Sequence, residues 1–96
     1  METDKRRTGR NDMLTIEVLG PGCPRCRTLE ENVRAAVREL GINASVIKIT
    51  DVNEIAARGV LMTPGLAIEG DTVASGRLLS VNQVKRILEE RTGADG

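Results

Sequence analysis

Apolar residues along this chain switch between dense runs, which suit strands, and a spacing of three to four, which suits helices. Met13-Leu14-Thr15-Ile16-Glu17-Val18-Leu19 is apolar, partly β-branched and stopped by Gly20-Pro21-Gly22, the pattern of a strand. From Pro24 the period becomes 3.6. Cys26, Leu29, Val33, Ala36, Val37 and Leu40 then share one helix face, with Arg, Glu and Asn opposite. Gly41 is placed to end that helix in the left-handed conformation. Ala44 to Ile49 reads as a second strand. Asp51-Val52-Asn53-Glu54 has the spacing of a capping box and opens a short helix that turns Val52, Ile55 and Ala56 inward before closing near Gly59. After Thr63-Pro64 a third strand covers Leu66 to Glu69. Gly70-Asp71 is placed as a two-residue hairpin turn into Thr72-Val73-Ala74-Ser75. Ser80-Val81-Asn82-Gln83 forms a second capping box. It starts a helix with Val81, Val84, Ile87 and Leu88 on one face.

The predicted order is β-α-β-α-β-β-α. The first β-α-β requires a right-handed parallel crossover and the hairpin adds an antiparallel edge. An α/β fold follows: a four-stranded mixed sheet with three helices distributed over both faces, so that every apolar stripe is covered. With 96 residues there is room for one domain. We place it at 12–92, after a disordered tail over 1–11 and before a frayed end at 93–96. A domain of this size buries only about 60% of the surface of its unfolded chain.

Composition narrows the chemistry. Fourteen basic and fourteen acidic side chains cancel, and there is no Phe, Tyr or Trp. That disfavours nucleic acid twice, through the missing basic excess and the missing stacking platforms, and gives no attraction to an anionic membrane. The absence of His removes Ser-His and Cys-His nucleophile pairs and imidazole metal ligands. No stretch approaches the roughly 20 apolar residues of a membrane span. The charged start, METDKRRTGRND, lacks the apolar region of a secretory signal, so a cytoplasmic location is expected. In that compartment a CxxC pair is more often catalytic or metal-binding than structural.

Gly22-Cys23-Pro24-Arg25-Cys26 falls where a strand hands over to a helix. Two intervening residues at a helix start bring the sulfurs within disulfide reach. Cys23 then occupies the N-cap region, facing free backbone N–H groups and the positive end of the helix dipole, which lowers a thiol's pKa. Cys26 lies one turn in, on the apolar stripe, where desolvation keeps it a thiol. This asymmetry gives an attacking Cys23 and a resolving Cys26. Pro24 suits the first helical turn. Arg25 points outward, either adding positive potential beside Cys23 or serving as an ordinary solvated charge. A four-ligand zinc site needs a second pair of Cys or His, and the chain has neither.

These residues resemble the small thioredoxin-like "redox-active disulfide" proteins of bacteria and archaea. The matching pieces are Leu19 to Cys26, Val60-Leu61-Met62-Thr63-Pro64-Gly65-Leu66-Ala67-Ile68-Glu69-Gly70, and Gly76-Arg77, so that the likeness covers about residues 13 to 91. It implies a thioredoxin-like fold, an enzyme exchanging a Cys23–Cys26 dithiol with protein disulfides, no cofactor beyond that pair, and a thioredoxin-reductase-type electron donor. It also implies that Thr63-Pro64 is a cis-proline loop packed against the active site. That loop would hold the partner's chain through the backbone of Thr63 and keep metal from the thiols. On residues alone Pro64 reads as trans, since only about 5–6% of X-Pro bonds in folded proteins are cis.

Thioredoxins proper have Trp before the first cysteine and Gly-Pro between the pair, where this chain has Gly22 and Pro24-Arg25. They also carry a buried Asp six residues before the first cysteine, and Glu17 holds that spacing here. Glu17 either accepts the Cys26 proton or faces water at a strand edge. Two other classes compete with the enzyme. One is a soft-metal carrier binding Cu or Zn through the CxxC, although ferredoxin-like carriers lack the helix at 51–58 and the Thr63-Pro64 loop. The other is an adaptor docking through Leu61, Met62 and the Gly65 loop.

Overall fold

Leu14–Leu19 (β1), Pro24–Leu40 (α1), Ala44–Ile49 (β2), Val52–Ala57 (α2), Gly65–Ile68 (β3), Asp71–Ser75 (β4) and Val81–Thr92 (α3) follow one another in the β-α-β-α-β-β-α order read from the sequence. They are the elements of a computed structural model that describes residues 14–92. The expected tail at 1–11 and the expected frayed end at 93–96 lie outside the described residues.

The four strands form one mixed sheet in the order β2-β1-β3-β4. β1 pairs parallel with β2, from Leu14 opposite Ala44 to Leu19 opposite Ile49. It pairs antiparallel with β3, from Ile16 opposite Ile68 to Leu19 opposite Gly65. β3 and β4 form the antiparallel hairpin. β1 is thus an interior strand, and its alternation sorts the core into two layers. Ile16 and Val18 join Leu66 and Ile68, Leu29, Val33 and Ala36 of α1, and Val84 and Leu88 of α3. Leu19 and Ala67 face the other way, against Ile55 of α2 and Val60.

Local chemistry fixes the element ends. Gly41 closes α1 at φ 66°, its N–H donating to the carbonyls of Val37 and Arg38. The Ser80 capping box is complete: Ser80 Oγ accepts the Gln83 N–H at 3.2 Å and Gln83 Oε1 accepts the Ser80 N–H at 2.9 Å. The Asp51 box is only half made. Asp51 Oδ1 accepts the Asn53 N–H at 2.8 Å, while Glu54 turns to Arg58 at 3.7 Å.

Two expectations need correction. The short helix turns in only Ile55; Val52 is 64% exposed and Ala56 is exposed as well. Six residues make under two turns, so one side chain reaches the sheet, and the second apolar contact comes from Val60 in the following loop. The hairpin turn is centred one residue earlier than Gly70-Asp71. Glu69 (φ 53°) and Gly70 (φ 85°) occupy its two left-handed positions, and Asp71 pairs with Ile68 as a strand residue.

Candidate active site

The end of the sheet where β1 finishes collects the chemistry-bearing residues. β1 stops as Gly20 donates its N–H to Ile49 O at 2.9 Å, and Gly20-Pro21-Gly22 leads the chain over to α1. Cys23 is the N-cap, with extended backbone at φ −68° and ψ 163°, and its side chain makes no capping bond to the helix. Its carbonyl accepts the Arg27 N–H at 3.1 Å, the first bond of the helix. Pro24 takes the first helical position. Arg25 is exposed.

Both cysteines are free thiols, with Sγ atoms 2.6 Å apart. Cys23 is half-buried and Cys26 is only 4% exposed. The Cys23 thiol is held below its ordinary range, chiefly by the hydrogen bond with the Cys26 thiol, and the N–H groups of Cys26 and Arg25 at the start of α1 favour the thiolate without closing a capping bond. Burial pushes the Cys26 thiol up, and the hydrogen bond with Cys23 adds to that rise. The helix-terminus N–H groups therefore assist the Cys23 thiolate, as the strand-to-helix placement implies, but the neighbouring thiol has the larger effect.

Gly20 explains how closely this pair is packed. A methyl group there would overlap Cys26 Sγ and lie 3.0 Å from Cys26 Cβ and 3.7 Å from Thr63 Cβ. Only a bare α-carbon lets Cys26 and Thr63 converge on the end of β1. The Thr63-Pro64 peptide bond is cis, Pro64 is fully buried, and its carbonyl accepts the Gly76 N–H at 2.8 Å. Leu61 and Met62, just ahead of it, are 88% and 68% exposed.

Glu17 stands on the interior strand, on the face opposite α1, between Ile47 and Ala67. Its side chain is 14% exposed and pairs with Arg58, which also meets Glu54. That placement differs from a water-facing position at a strand edge, because β1 has neighbours on both sides. The pairing raises the Arg58 guanidinium above its already high ordinary value, through the Glu17 hydrogen bond first and its charge second. Sequence reasoning missed both Arg58 and Gly20. The loop glycine looked like punctuation, and a cation 41 residues from Glu17 gives no local signal.

Among the described residues no group of three or more His, Cys, Asp or Glu side chains is arranged to hold a metal ion, and no helix is long and apolar enough to cross a membrane. The helix and the proline loop that separate this topology from ferredoxin-like metal carriers are both present.

Comparison with known proteins agrees with this architecture. A thioredoxin-domain family model matches residues 14–89. A thioredoxin of Methanocaldococcus jannaschii is 47% identical over 77 residues, which is 80% of this chain and 88% of the relative. A thioredoxin of Methanothermobacter thermautotrophicus is 42% identical over 76 residues, 79% of this chain and 99% of the relative. Among solved structures, a malarial protein superposes with a TM-score of 0.64 at 10% identity, covering 82% of this chain and 97% of that one. The germline-specific thioredoxin Deadhead of Drosophila melanogaster superposes with a TM-score of 0.60 at 19% identity, covering 84% and 83%. These last two speak to the fold. The chain belongs to the thioredoxin family of disulfide oxidoreductases.

Proposed function

We propose that the protein reduces disulfides of partner proteins in the cytoplasm, with Cys23 attacking and Cys26 resolving. The observation that carries this reading is the inequality of the two thiols: one half-exposed and favoured as a thiolate, the other buried and favoured as a thiol. The Cys23 thiolate attacks one sulfur of the partner's disulfide. A Cys23–partner bond forms, the partner's S–S bond breaks, and the departing partner thiolate takes a proton. Cys26 then loses its proton and attacks Cys23 Sγ, forming the Cys23–Cys26 disulfide and expelling the second partner thiolate, which is protonated in turn. Two electrons pass from the dithiol to the partner. A reductase of the thioredoxin-reductase type returns them. No cofactor beyond the cysteine pair is needed.

The same proposal gives the neighbouring residues supporting roles. The backbone of Thr63, beside the cis Pro64, holds the partner's chain across Cys23. Pro24 pre-sets the first turn of α1, and Arg25 adds positive potential next to the attacking sulfur. Glu17 receives the Cys26 proton during resolution, with Arg58 holding its carboxylate.

Trapping tests the assignment of roles. Incubated with a disulfide-bonded protein, Cys26→Ser accumulates a covalent complex through Cys23, identified by mass spectrometry, whereas Cys23→Ser accumulates none. A complex formed through Cys26 in Cys23→Ser, or none in either variant, would overturn the reading.

A further inference from the structure

Leu61 and Met62 are the most exposed large apolar side chains among the described residues, and they immediately precede Thr63-Pro64 at the thiols. Two exposed cations lie close to this end in the chain. A methyl group at Gly76 would stand 2.9 Å from Met62 Cβ, so Arg77 follows directly on a residue packed against Met62. Exposed Arg25 lies in the first turn of α1. Thr63 and Cys26 both approach Gly20, which brings the Leu61–Thr63 loop beside the start of α1.

Five of the cations on the described residues are already paired. Arg34, Lys48, Arg58, Lys85 and Arg91 each meet a carboxylate. Among the described residues Arg25, Arg27, Arg38, Arg77 and Arg86 have no ion-pair partner; of these, Arg25 lies between the two cysteines and Arg77 follows Gly76 against Met62. Asp51, the carboxylate that β2 brings to this end, has its Oδ1 engaged by the Asn53 N–H at the start of α2. The chain is electrically neutral as a whole, and exposed Arg25 and Arg77 put positive charge beside the attacking thiol and beside the Leu61–Met62 pair.

We propose that this surface selects one partner chemistry: a polypeptide whose disulfide is flanked by an apolar residue and by acidic side chains. This rests on the exchange function proposed above and names its substrate class. The apolar side chain packs on Leu61 and Met62, the acidic ones face Arg25 and Arg77, and the scissile sulfur lies over Cys23. Charge complementarity at a rim acts chiefly on encounter rate and on the rejection of wrongly charged partners. The apolar contribution favours a polypeptide over a small anionic disulfide such as glutathione disulfide, which has no side chain to place on Leu61 and Met62.

The test uses the reduced full-length protein and two disulfide-bonded peptides of equal length. Each carries one Leu beside a cysteine, flanked by Glu in one peptide and by Lys in the other. Single-turnover reduction of the Glu peptide is expected to be at least about tenfold faster at about 0.01 M ionic strength, falling to within about twofold at about 1 M. Arg25→Glu with Arg77→Glu is expected to reverse the preference, and Arg25→Lys with Arg77→Lys to keep it. The ratio of two rates on one preparation cancels any change in thiol reactivity or folded fraction. Equal rates on the two peptides with the unmodified protein, or an acid preference surviving the double reversal, would defeat the charge assignment. Glutathione disulfide reduced as fast as the Glu peptide would defeat the polypeptide assignment. Reduction of neither peptide, nor of uncharged 2-hydroxyethyl disulfide, would defeat the exchange reading itself, and the partner inference with it.

Discussion

Glu69 turns the β3–β4 hairpin in the left-handed region at φ 53°, and its carboxylate Oε2 accepts the Thr15 backbone N–H at 2.6 Å. The Glu69 N–H donates in return to Thr15 O at 2.9 Å. Antiparallel pairing from Leu19 to Ile16 would next give the Thr15 N–H a backbone carbonyl on β3. The chain has already turned away at that point, so a side-chain carboxylate completes the ladder.

Glu69→Ala is therefore expected to lower stability by about 1–2 kcal/mol, since it removes a charge-assisted bond and leaves a left-handed residue without compensation. Glu69→Gly restores conformational freedom but not the bond, and should fall between Ala and the unmodified protein. Urea denaturation followed by far-ultraviolet circular dichroism gives the order. An Ala variant as stable as the unmodified protein would show that the Thr15 bond contributes nothing net.

Gly20→Ala places a methyl group against Cys26 Sγ and near Thr63. Overpacking of this kind costs about 1–3 kcal/mol, and here the displaced atom is itself the resolving sulfur. Disulfide exchange should slow more than stability alone accounts for. Adding Cys26→Ala removes the overlapping sulfur, so the penalty of Gly20→Ala should shrink in that background. An unchanged penalty across the cycle would mean the methyl group is accommodated elsewhere.

The sequence made legible what is local or periodic. Strand β1, helix α1 with its Gly41 end, the Ser80 capping box and the CxxC at a strand-to-helix junction all lie in short windows whose pattern decides them. What it hid depends on distance. Glu54 looks like the closing member of a capping box, yet the structure gives it to Arg58. The turn slipped by one residue because Gly-Asp is a good local turn, while the Thr15 N–H that rewards Glu69 for a left-handed φ is 54 residues away. The cis state of Pro64 rested on resemblance alone, since two residues do not encode it.

The thiol asymmetry sets a pH dependence whose sign is fixed. In the folded, reduced protein Cys23 is lowered, chiefly by the Cys26 thiol, and Cys26 is raised, chiefly by burial. Alkylation of Cys23 should therefore rise at lower pH than that of a free cysteine, and Cys26 should react only above it. Linkage runs in opposite directions for the two. The Cys23 contribution is present above the unfolded-state pKa and is lost as pH falls through the lowered folded value. The Cys26 contribution is present below the unfolded-state pKa and is lost as pH rises through the raised folded value. Cys26→Ala should move the Cys23 midpoint back upward, because the largest cause of its lowering has gone. Residue-resolved mass spectrometry of iodoacetamide labelling against pH measures all three midpoints. Two coincident midpoints would remove the basis for separate roles.

Glu17 and Arg58 set the last test, because one ion pair carries both a structural and a proposed chemical part. Glu17 sits on the central strand with its side chain 14% exposed, so removing Arg58 alone leaves a poorly hydrated carboxylate without its partner. Arg58→Met should lower the denaturation midpoint, and Glu17→Gln in the same chain should recover part of the loss by removing the stranded charge. Chemistry separates from structure in the kinetics. If Glu17 takes the Cys26 proton, Glu17→Gln slows the decay of a preformed Cys23 mixed disulfide by about 10–100-fold, the low end of general-base contributions. It leaves the rate of mixed-disulfide formation close to unchanged, because that step uses Cys23 alone. Stopped-flow measurement of both steps across pH resolves the two parts. Decay as fast in Glu17→Gln as in the unmodified protein at every pH would leave the Glu17–Arg58 pair as a tie between β1 and the end of α2, with no part in proton transfer.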